Sequence, residues 1–475
     1  PVKDPPETFT SANISEVLPG VLSPLSQAGL KVLDYGFWKA NYDFGLVREP
    51  FTDGDYEFMF LGCFYGRAHL NLSAFNRIVS QVPGGSATEF DRPFETTGDS
   101  DNATDIPEFT WKQIPKLIGI FLRSLVIRFQ TPRRLNRQIA LMHQRREAFR
   151  KIDLSGQNLN KLADMLEENK AVGQAVMVLH IINSMFAVVT YEVLRKLTRR
   201  WLKDRTGILA ARLVTGLGSL ESAKPSFEIY RLYQFVRSAP AVKQIFENNP
   251  PEAVLEQLQQ TDSAGTAGFL EKLRVFLNNY GYRSVFEAEM MLPSWEEDPG
   301  FVFSLIQSYL TADTVKSPEE TEARQQQDRL TAEAETLGQL SFVKRRIFKR
   351  LLKDTHLFLA GRENNKAILM MGTHLAKKIV NEIKSRLAAS GTLSQEDDVY
   401  FLNQNEIMAL CRGKGAVSAD RIQQRKKEYQ QNQTVTLPEQ FAGRPRPVAP
   451  TNMVLDDADI LTGLPVSPGR VTGPA

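Results

Sequence analysis

Between Ala171 and Tyr191 the chain runs for 21 residues without a charged side chain, and 15 of them are apolar. A run of that length leaves two solutions: it spans a bilayer, or it lies in the core of a large helical domain. Gln174, His180, Asn183, Ser184 and Thr190 are scattered through it, and strongly polar groups at the centre of a bilayer cost about 2 kcal/mol or more each. The basic flank of Arg195, Lys196, Arg199 and Arg200 would suit a cytoplasmic membrane end. The polar residues inside the run favour the buried core helix over membrane insertion, and make His180 a satisfied core histidine rather than a ligand.

The surrounding sequence reads as helix after helix from residue 111 to about 430. Leu117, Ile118, Phe121, Leu122, Leu125 and Val126 recur at spacings of three and four within Ile114 to Phe129, one face of a helix that Thr131-Pro132 is expected to end. Helix formers resume from Arg133 to about Ile152, and Leu162, Met165 and Leu166 mark one side of Leu159 to Asn169. Further helices are expected at Phe227–Val236, Ala253–Gln260, Thr266–Tyr280, Phe301–Leu310, Pro318–Arg350, Asn365–Ala389 and Gln404–Leu410. The Glu-, Gln- and Arg-rich part from Ser317 to Leu337 reads as a solvated helix or a disordered linker. Strand patterns are scarce, with Glu57–Phe64 and Val399–Leu402 as short candidates. No repeat period is present. The expected fold class is mainly α: a large multi-helix domain with a small loop-rich N-terminal part and a few short strands.

At 475 residues the chain exceeds the usual size of one core. Residues 1–110 hold 16 acidic and 7 basic side chains, whereas Trp111–Lys151 holds 11 basic ones against the single acid Glu147. Packing of the two sections against each other explains these opposite charges more simply than a polyanionic partner, which remains the alternative. The net charge of +3 gives no electrostatic case for nucleic-acid binding. Cys63 and Cys411 match no zinc spacing, so a reducing compartment without a structural metal is expected. The tail from Gln430, with Pro438, Pro445, Pro447 and Pro450, reads as an extended linker. The expected organisation is thus an acidic loop-rich opening at 1–110, a helical domain at 111–430, a linker at 431–462, and at 463–475 the start of another element. Pro1-Val2-Lys3 opens without a charged-then-apolar leader pattern, so no secretory or transit signal, a cytoplasmic location and a chain cut at both ends are expected.

Familiar catalytic signatures are missing. There is no Gx4GK[ST] loop, Gly216-Leu217-Gly218-Ser219-Leu220-Glu221 lacks the third glycine of a dinucleotide loop, and no HExxH or GxSxG occurs. The five histidines, His69, His143, His180, His356 and His374, are isolated from one another. The basic run Lys344–Lys353 fits a membrane-surface or partner helix, but more simply a helix face answering nearby acids such as Glu333 and Glu335. The most distinctive polar cluster runs from Tyr280-Gly281-Tyr282-Arg283 through Glu287 and Glu289 to Trp295-Glu296-Glu297-Asp298-Pro299. Arg283 and Glu287, four apart, would share a helix face. Two readings stay open: a structural ion pair, or a pocket in which Arg283 fixes an anionic or hydroxylated ligand and the glutamates hold it or act on a hydroxyl proton.

Asn13-Ile14-Ser15-Glu16-Val17-Leu18-Pro19-Gly20 with Ser23-Pro24-Leu25 resembles the opening of the central domain in phosphoenolpyruvate-synthase-like proteins, the group that includes rifampicin phosphotransferase. Further blocks are similar to that family in the same order: Gly66-Arg67 through Asn71 with Pro83-Gly84; Leu213 to Leu217 with Glu221-Ser222-Ala223; Gly281-Tyr282-Arg283 with Glu287, Glu289, Trp295 and Glu297-Asp298-Pro299; and Asp397-Asp398-Val399-Tyr400-Phe401-Leu402 with Glu406. Gly463 to Gly469, with Gly473, resembles the start of the mobile phosphohistidine domain of phosphoenolpyruvate-utilising enzymes.

The resemblance implies a three-part phosphotransferase: an ATP-grasp domain that charges a histidine, a swivelling domain that carries it, and between them a helical domain that presents the acceptor. This chain resembles the middle part, with the other two domains of the same polypeptide as its partners and a small molecule as phosphoryl acceptor. ATP and Mg2+ would be bound by the ATP-grasp domain and not by this chain. The family's carrier histidine sits in a "G-G-x-x-S-H" context, and the last histidine here is His374, so no catalytic residue is assigned to this chain. Tyr282, Arg283, Glu287 and Glu289 are the expected substrate-binding residues. Tyr282 stands where many relatives have histidine, and a phenol of ordinary pKa, about 10, is a poor general base at neutral pH. The reading from another class is a non-catalytic helical scaffold or membrane-associated interaction protein.

Overall fold

The computed structural model describes residues 6–12, 14–15, 18–51, 58–81, 114–218, 220–312 and 314–448. Most of the acids of the opening section, the Pro83-Gly84 pair and everything after Val448 lie outside them, as do the expected start of a new element at 463–475 and the part of the expected linker from 449 to 462. The described chain is mainly α-helical, as expected, with one small sheet.

The sheet has four antiparallel strands, β1 (Thr8–Thr10), β2 (Leu61–Phe64), β3 (Arg67–Asn71) and β4 (Gln440–Ala442), in the order β2-β3-β1-β4. Tyr65 (φ 50°) and Gly66 (φ 72°) form the turn between β2 and β3, the left-handed pair that a two-residue hairpin requires. The Gly66 carbonyl accepts from Leu22 N–H at 2.8 Å. Asn71 ends β3 and caps α2 (Leu72–Val79), accepting from Ala74 N–H while its amide donates to Glu7. Strand β4 lies in the Pro-rich tail: Phe441 pairs with Phe9 and stacks on it. The tail is therefore tied to the sheet through Val448, which bridges to Thr436.

The remaining helices are α1 (Ala28–Phe44), α3 (Ile114–Phe149), α4 (Leu159–Leu202), α5 (Ile208–Arg212), α6 (Lys224–Ser238), α7 (Pro240–Asn248), α8 (Pro251–Gln260), α9 (Ala264–Tyr280), α10 (Gly300–Thr311), α11 (Pro318–Gln339), α12 (Phe342–Ala389), α13 (Gln404–Cys411) and α14 (Ala419–Gln433). Three expectations are corrected. Helix α3 runs straight through Pro132: Ile127, Thr131 and Leu135 are buried along one face, and that burial outweighs the hydrogen bond proline removes. Thr131 Oγ1 donates to the Ile127 carbonyl at 2.7 Å. Val399–Leu402 is no strand; it forms the end of a 3-10 turn, Glu396–Phe401, with Leu402 closing it, and Asp398 of that turn accepts from Gln395 N–H and pairs with Lys426. All four residues from Val399 to Leu402 are buried, whereas a half-buried strand hides every second one. The expected Pro318–Arg350 helix breaks at Leu340, which is extended and buried.

The chain divides into two compact units. The first holds residues 1–181, 288–291 and 375–465, with a core in which Leu162, Ile379, Ile383, Val399, Leu402 and Ile407 pack. The second holds residues 182–287 and 292–374. Its main core joins α6 through α10, with Val236, Val242, Phe246, Phe269 and Phe303 at its centre. A second cluster packs Leu194, Leu213, Ala332 and Phe348. The stretch 111–430 is thus shared between units. The uncharged run lies in α4, which is long and apolar enough by length and composition to cross a membrane. Leu179 and Ile182 within it are fully buried in the fold.

Candidate functional site

The polar cluster after α9 forms a looped-back segment. A Cβ on Gly281 would lie 2.4 Å from the Leu277 carbonyl oxygen and 2.8 Å from Glu296 Cβ, so only glycine permits this approach. Trp295 N–H then donates to the Arg283 carbonyl at 2.8 Å, and Glu296 N–H to that of Gly281 at 3.0 Å. These two bonds hold residues 281–283 beside 295–296. Ser294 donates its N–H and hydroxyl to Glu297, and Gly300 N–H donates to Asp298 at 2.8 Å. Glu297 and Asp298 therefore shape the entry into α10. Trp295 is buried between Phe276 and Phe301.

Arg283 and Glu287 do form the expected ion pair, through Arg283 Nε and Glu287 Oε1. They do so from a loop, because no helix is present between Tyr280 and Gly300. Both side chains are largely buried, and the guanidinium carbon lies 6.0 Å from the Trp295 ring. Tyr282 is buried beside them in sequence, at 4% exposure.

Glu289 takes a different place. It belongs to the first unit, whereas Tyr282, Arg283 and Glu287 belong to the second. Its buried carboxylate accepts from Ser23 N–H (2.7 Å), the hydroxyls of Ser23 and Ser26 (2.8 Å each) and Met291 N–H (2.9 Å). Ser26 Oγ also accepts from Met290 N–H. Glu289 thereby fastens Ser23-Pro24-Leu25, and Leu25 N–H donates in turn to the Tyr400 carbonyl. Three blocks that resemble the family meet here by direct bonds, and Glu406 anchors the last of them by accepting from Arg425 at 2.6 and 3.0 Å.

No motif or spacing joins His374 to this cluster, yet its Nε2 lies 2.9 Å from Glu296 Oε2. Seventy-eight residues separate the two, a distance no spacing rule bridges. His374 is 6% exposed, and the Glu296 side chain is 43% exposed. With Nε2–H donating to the carboxylate, Nδ1 is the acceptor nitrogen of the ring. Two buried ring nitrogens in this neighbourhood, Trp295 Nε1 and His374 Nδ1, have no hydrogen-bond partner among the described residues.

Elsewhere in the second unit an open groove of about 490 Å³ is lined by Arg212, Thr215, Arg324 and Asp328, and Asp328 accepts both of its bonds from Arg212. Gly216 (φ 56°) approaches α11 so closely that a Cβ would sit 2.5 Å from Gln326 N. Among the described residues no three His, Cys, Asp or Glu side chains gather as metal ligands. Burial pushes the Cys63 thiol up to about 12 and the Cys411 thiol up to about 11, which leaves both unreactive.

Residues 180–363 match the family model described as the rifampicin phosphotransferase fourth domain. That match includes the whole looped segment and most of the second unit. Over 98% of its length the chain is 24% identical to the prodigiosin synthesizing transferase PigC of Serratia marcescens. It is 29% identical over 36% of its length to the uncharacterized phosphotransferase YvkC of Bacillus subtilis, and 25% identical over half its length to the rifampicin phosphotransferase of Streptomyces sviceus. The chain spans about half of the Serratia relative, at 53%, and 20% and 28% of the other two. The matches support a phosphoenolpyruvate-utilising, rifampicin phosphotransferase-like family, in agreement with the resemblance read from the sequence.

Proposed function

We propose that this chain, as a relative of the rifampicin phosphotransferase-like proteins, is the acceptor-binding helical part of an ATP-dependent phosphotransferase that works through a phosphohistidine relay. ATP and Mg2+ belong, on this reading, to an ATP-grasp domain of the same polypeptide, and the carrier histidine to a mobile domain. This chain brings the acceptor and binds neither cofactor nor nucleic acid; the assembled enzyme is cytoplasmic. The observation that carries the reading is the looped segment 281–296, within the span of the family match, where the Arg283–Glu287 pair and Trp295 stand with Glu296, which His374 reaches from outside that span.

Phosphoryl transfer asks an acceptor site for positioning and charge neutralisation. Arg283 supplies a fixed cation for the charge on the transferring group, Glu287 holds its guanidinium, and the buried Tyr282 precedes them in the segment. The acceptor hydroxyl attacks phosphorus, the bond from phosphorus to the carrier histidine breaks, and the hydroxyl proton passes to Glu296, the more exposed member of its pair. His374 positions that carboxylate and removes the need for a histidine at Tyr282. The names of the relatives differ in chemistry, one for rifampicin and another for prodigiosin synthesis, which supports an acceptor pocket tuned chain by chain.

The test is Arg283→Ala in the protein carrying all three parts. Transfer to the acceptor should be lost while phosphorylation of the carrier histidine persists. Unchanged transfer would sink the assignment and favour the helical scaffold.

A further inference from the structure

Helix α3 carries two apolar faces. One is the core face of Ile127, Thr131, Leu135 and Met142, all at most 8% exposed. The other lies opposite: Ile118, Phe121, Leu122, Leu125, Val126 and Phe129 are between 38% and 65% exposed. The fold does not need this outer stripe, because the core face alone seats the helix. Helical geometry places Arg128 on one margin of the stripe and Arg133 at its far end, toward the opposite margin. From Ile114 to Arg146 no acid occurs in 33 residues, so α3 brings no negative charge of its own. An occupant of the stripe must therefore offer apolar depth and negative charge together.

The chain itself supplies such a sequence next to the stripe. Residues 82–113 hold seven acids against two basic residues, and their large apolar residues stand beside the acids: Phe90 between Glu89 and Asp91, Phe94 before Glu95, Ile106 after Asp105 and Phe109 after Glu108. Both ends of this sequence are fixed at the start of α3. Lys116 Nζ donates to Gln81 Oε1 at 2.6 Å, so the chain leaves after Gln81 and returns at Ile114 close to its point of departure. From Ile114 to Phe129 the helix runs roughly 22 Å at about 1.5 Å per residue. Half of the excursion, about 16 extended residues, reaches roughly 50 Å, enough to run the length of the stripe and come back. A segment anchored in this way meets the stripe at an effective concentration of roughly millimolar order, which a separate partner must outcompete. A second copy is also disfavoured by charge, since it would bring a second set of the same arginines to a self-complementary contact.

We propose that the acidic, aromatic sequence 82–113 docks on the outer face of α3, with its apolar residues on the stripe and its carboxylates toward Arg128 and Arg133. This rests on the first unit alone and is independent of the phosphotransfer reading. The photoreactive residue p-benzoylphenylalanine, put in place of Phe94 in the 475-residue chain, stands twenty residues before α3. Under ultraviolet light it should cross-link to peptides of residues 117–133. The variant Arg128→Glu/Arg133→Glu should keep its circular dichroism spectrum and give at least about fivefold less of that product, and about 0.5 M salt should lower the yield too. Removing residues 84–111 leaves the Gln81–Lys116 junction in place and should bare the stripe, raising the fluorescence of anilinonaphthalene sulfonate at least about twofold. Absence of the cross-link to α3, a yield that the folded charge variant leaves unchanged, or dye fluorescence that the folded deletion leaves unchanged would each overturn the proposal. So would cross-links joining light and heavy-isotope copies in a mixed sample, since a second copy would then cover the stripe. Flotation of the parent chain with phosphatidylglycerol vesicles, abolished by Phe121→Ser/Phe129→Ser, would overturn it as well, since lipid would then be the occupant.

Discussion

Single side chains here carry loads that their sequence context does not announce. Glu289 is the clearest case, a buried carboxylate accepting four hydrogen bonds. Glu289→Gln would keep the shape but turn one acceptor into a donor facing donors. Hydrogen bonds to a charged group are worth about 1.5–3 kcal/mol each and a lost partner leaves buried donors unmet, so a destabilisation of about 2–4 kcal/mol is expected. Urea unfolding would read it, with faster hydrogen exchange at Ser23 and Met291; an unchanged midpoint would refute the anchoring role. Gly216 makes a second residue-scale case. At φ 56° and 2.5 Å from backbone, Gly216→Ala should cost about 2 kcal/mol or more, seen as a lower thermal midpoint. The sequence offered Arg283 and Glu287 because i,i+4 spacing is visible in a string of letters. The same spacing also suggested a helix that is not there, since the pair closes a loop that the bonds to Trp295 and Glu296 hold. Glu296–His374 was out of reach because its two halves meet only in the folded chain.

At the scale of elements, amphipathic periodicity located α6, α8, α9, α10 and α13 to within a few residues, because each buries one stripe against a shared core. It failed where local grammar and tertiary burial disagree. Pro132 is a helix breaker by its own chemistry, yet α3 passes through it because residues on either side share a buried face. That conflict predicts a gain. Pro132→Ala should restore a main-chain donor without disturbing the face and raise stability by up to about 3 kcal/mol, measured as a higher melting temperature. A fall would mean that the proline ring itself packs. The tail posed the opposite difficulty: its prolines read as a linker, while Gln440–Ala442 closes the sheet beside β1. An edge strand of three residues leaves almost no pattern, and its partner lies more than 400 positions away.

For the molecule as a whole, each unit carries a histidine that burial keeps neutral, His69 in the first and the half-buried His356 in the second, so proton uptake draws on the stability of both. In the first unit His69 is 1% exposed, with Nδ1–H on the Arg67 carbonyl and the rings of Phe64 and Phe441 around it. In the second, His356 donates Nε2–H to the Leu213 carbonyl at 2.6 Å. Burial holds both below the usual histidine range. A base whose folded pKa is depressed is protonated first in the unfolded chain. The stability it lends is therefore present above the unfolded value of about 6.5 and is lost as pH falls from there toward the folded value. Carboxylates such as Glu406, also held low, enter only near pH 4 and below. The melting temperature should thus decline between about pH 7.5 and pH 5.5, although Asp34, whose carboxyl burial raises, binds its proton first in the folded chain and works against the decline. The variant His69→Gln/His356→Gln should melt lower at the upper end, having lost ring contacts and two hydrogen bonds, but its midpoint should change much less over the same window. The sites lie in different units, so the single variants should each remove part of the slope and their effects should add. A double variant with the parent's full slope would show that other groups take up the proton and that these two rings are charged in the folded chain.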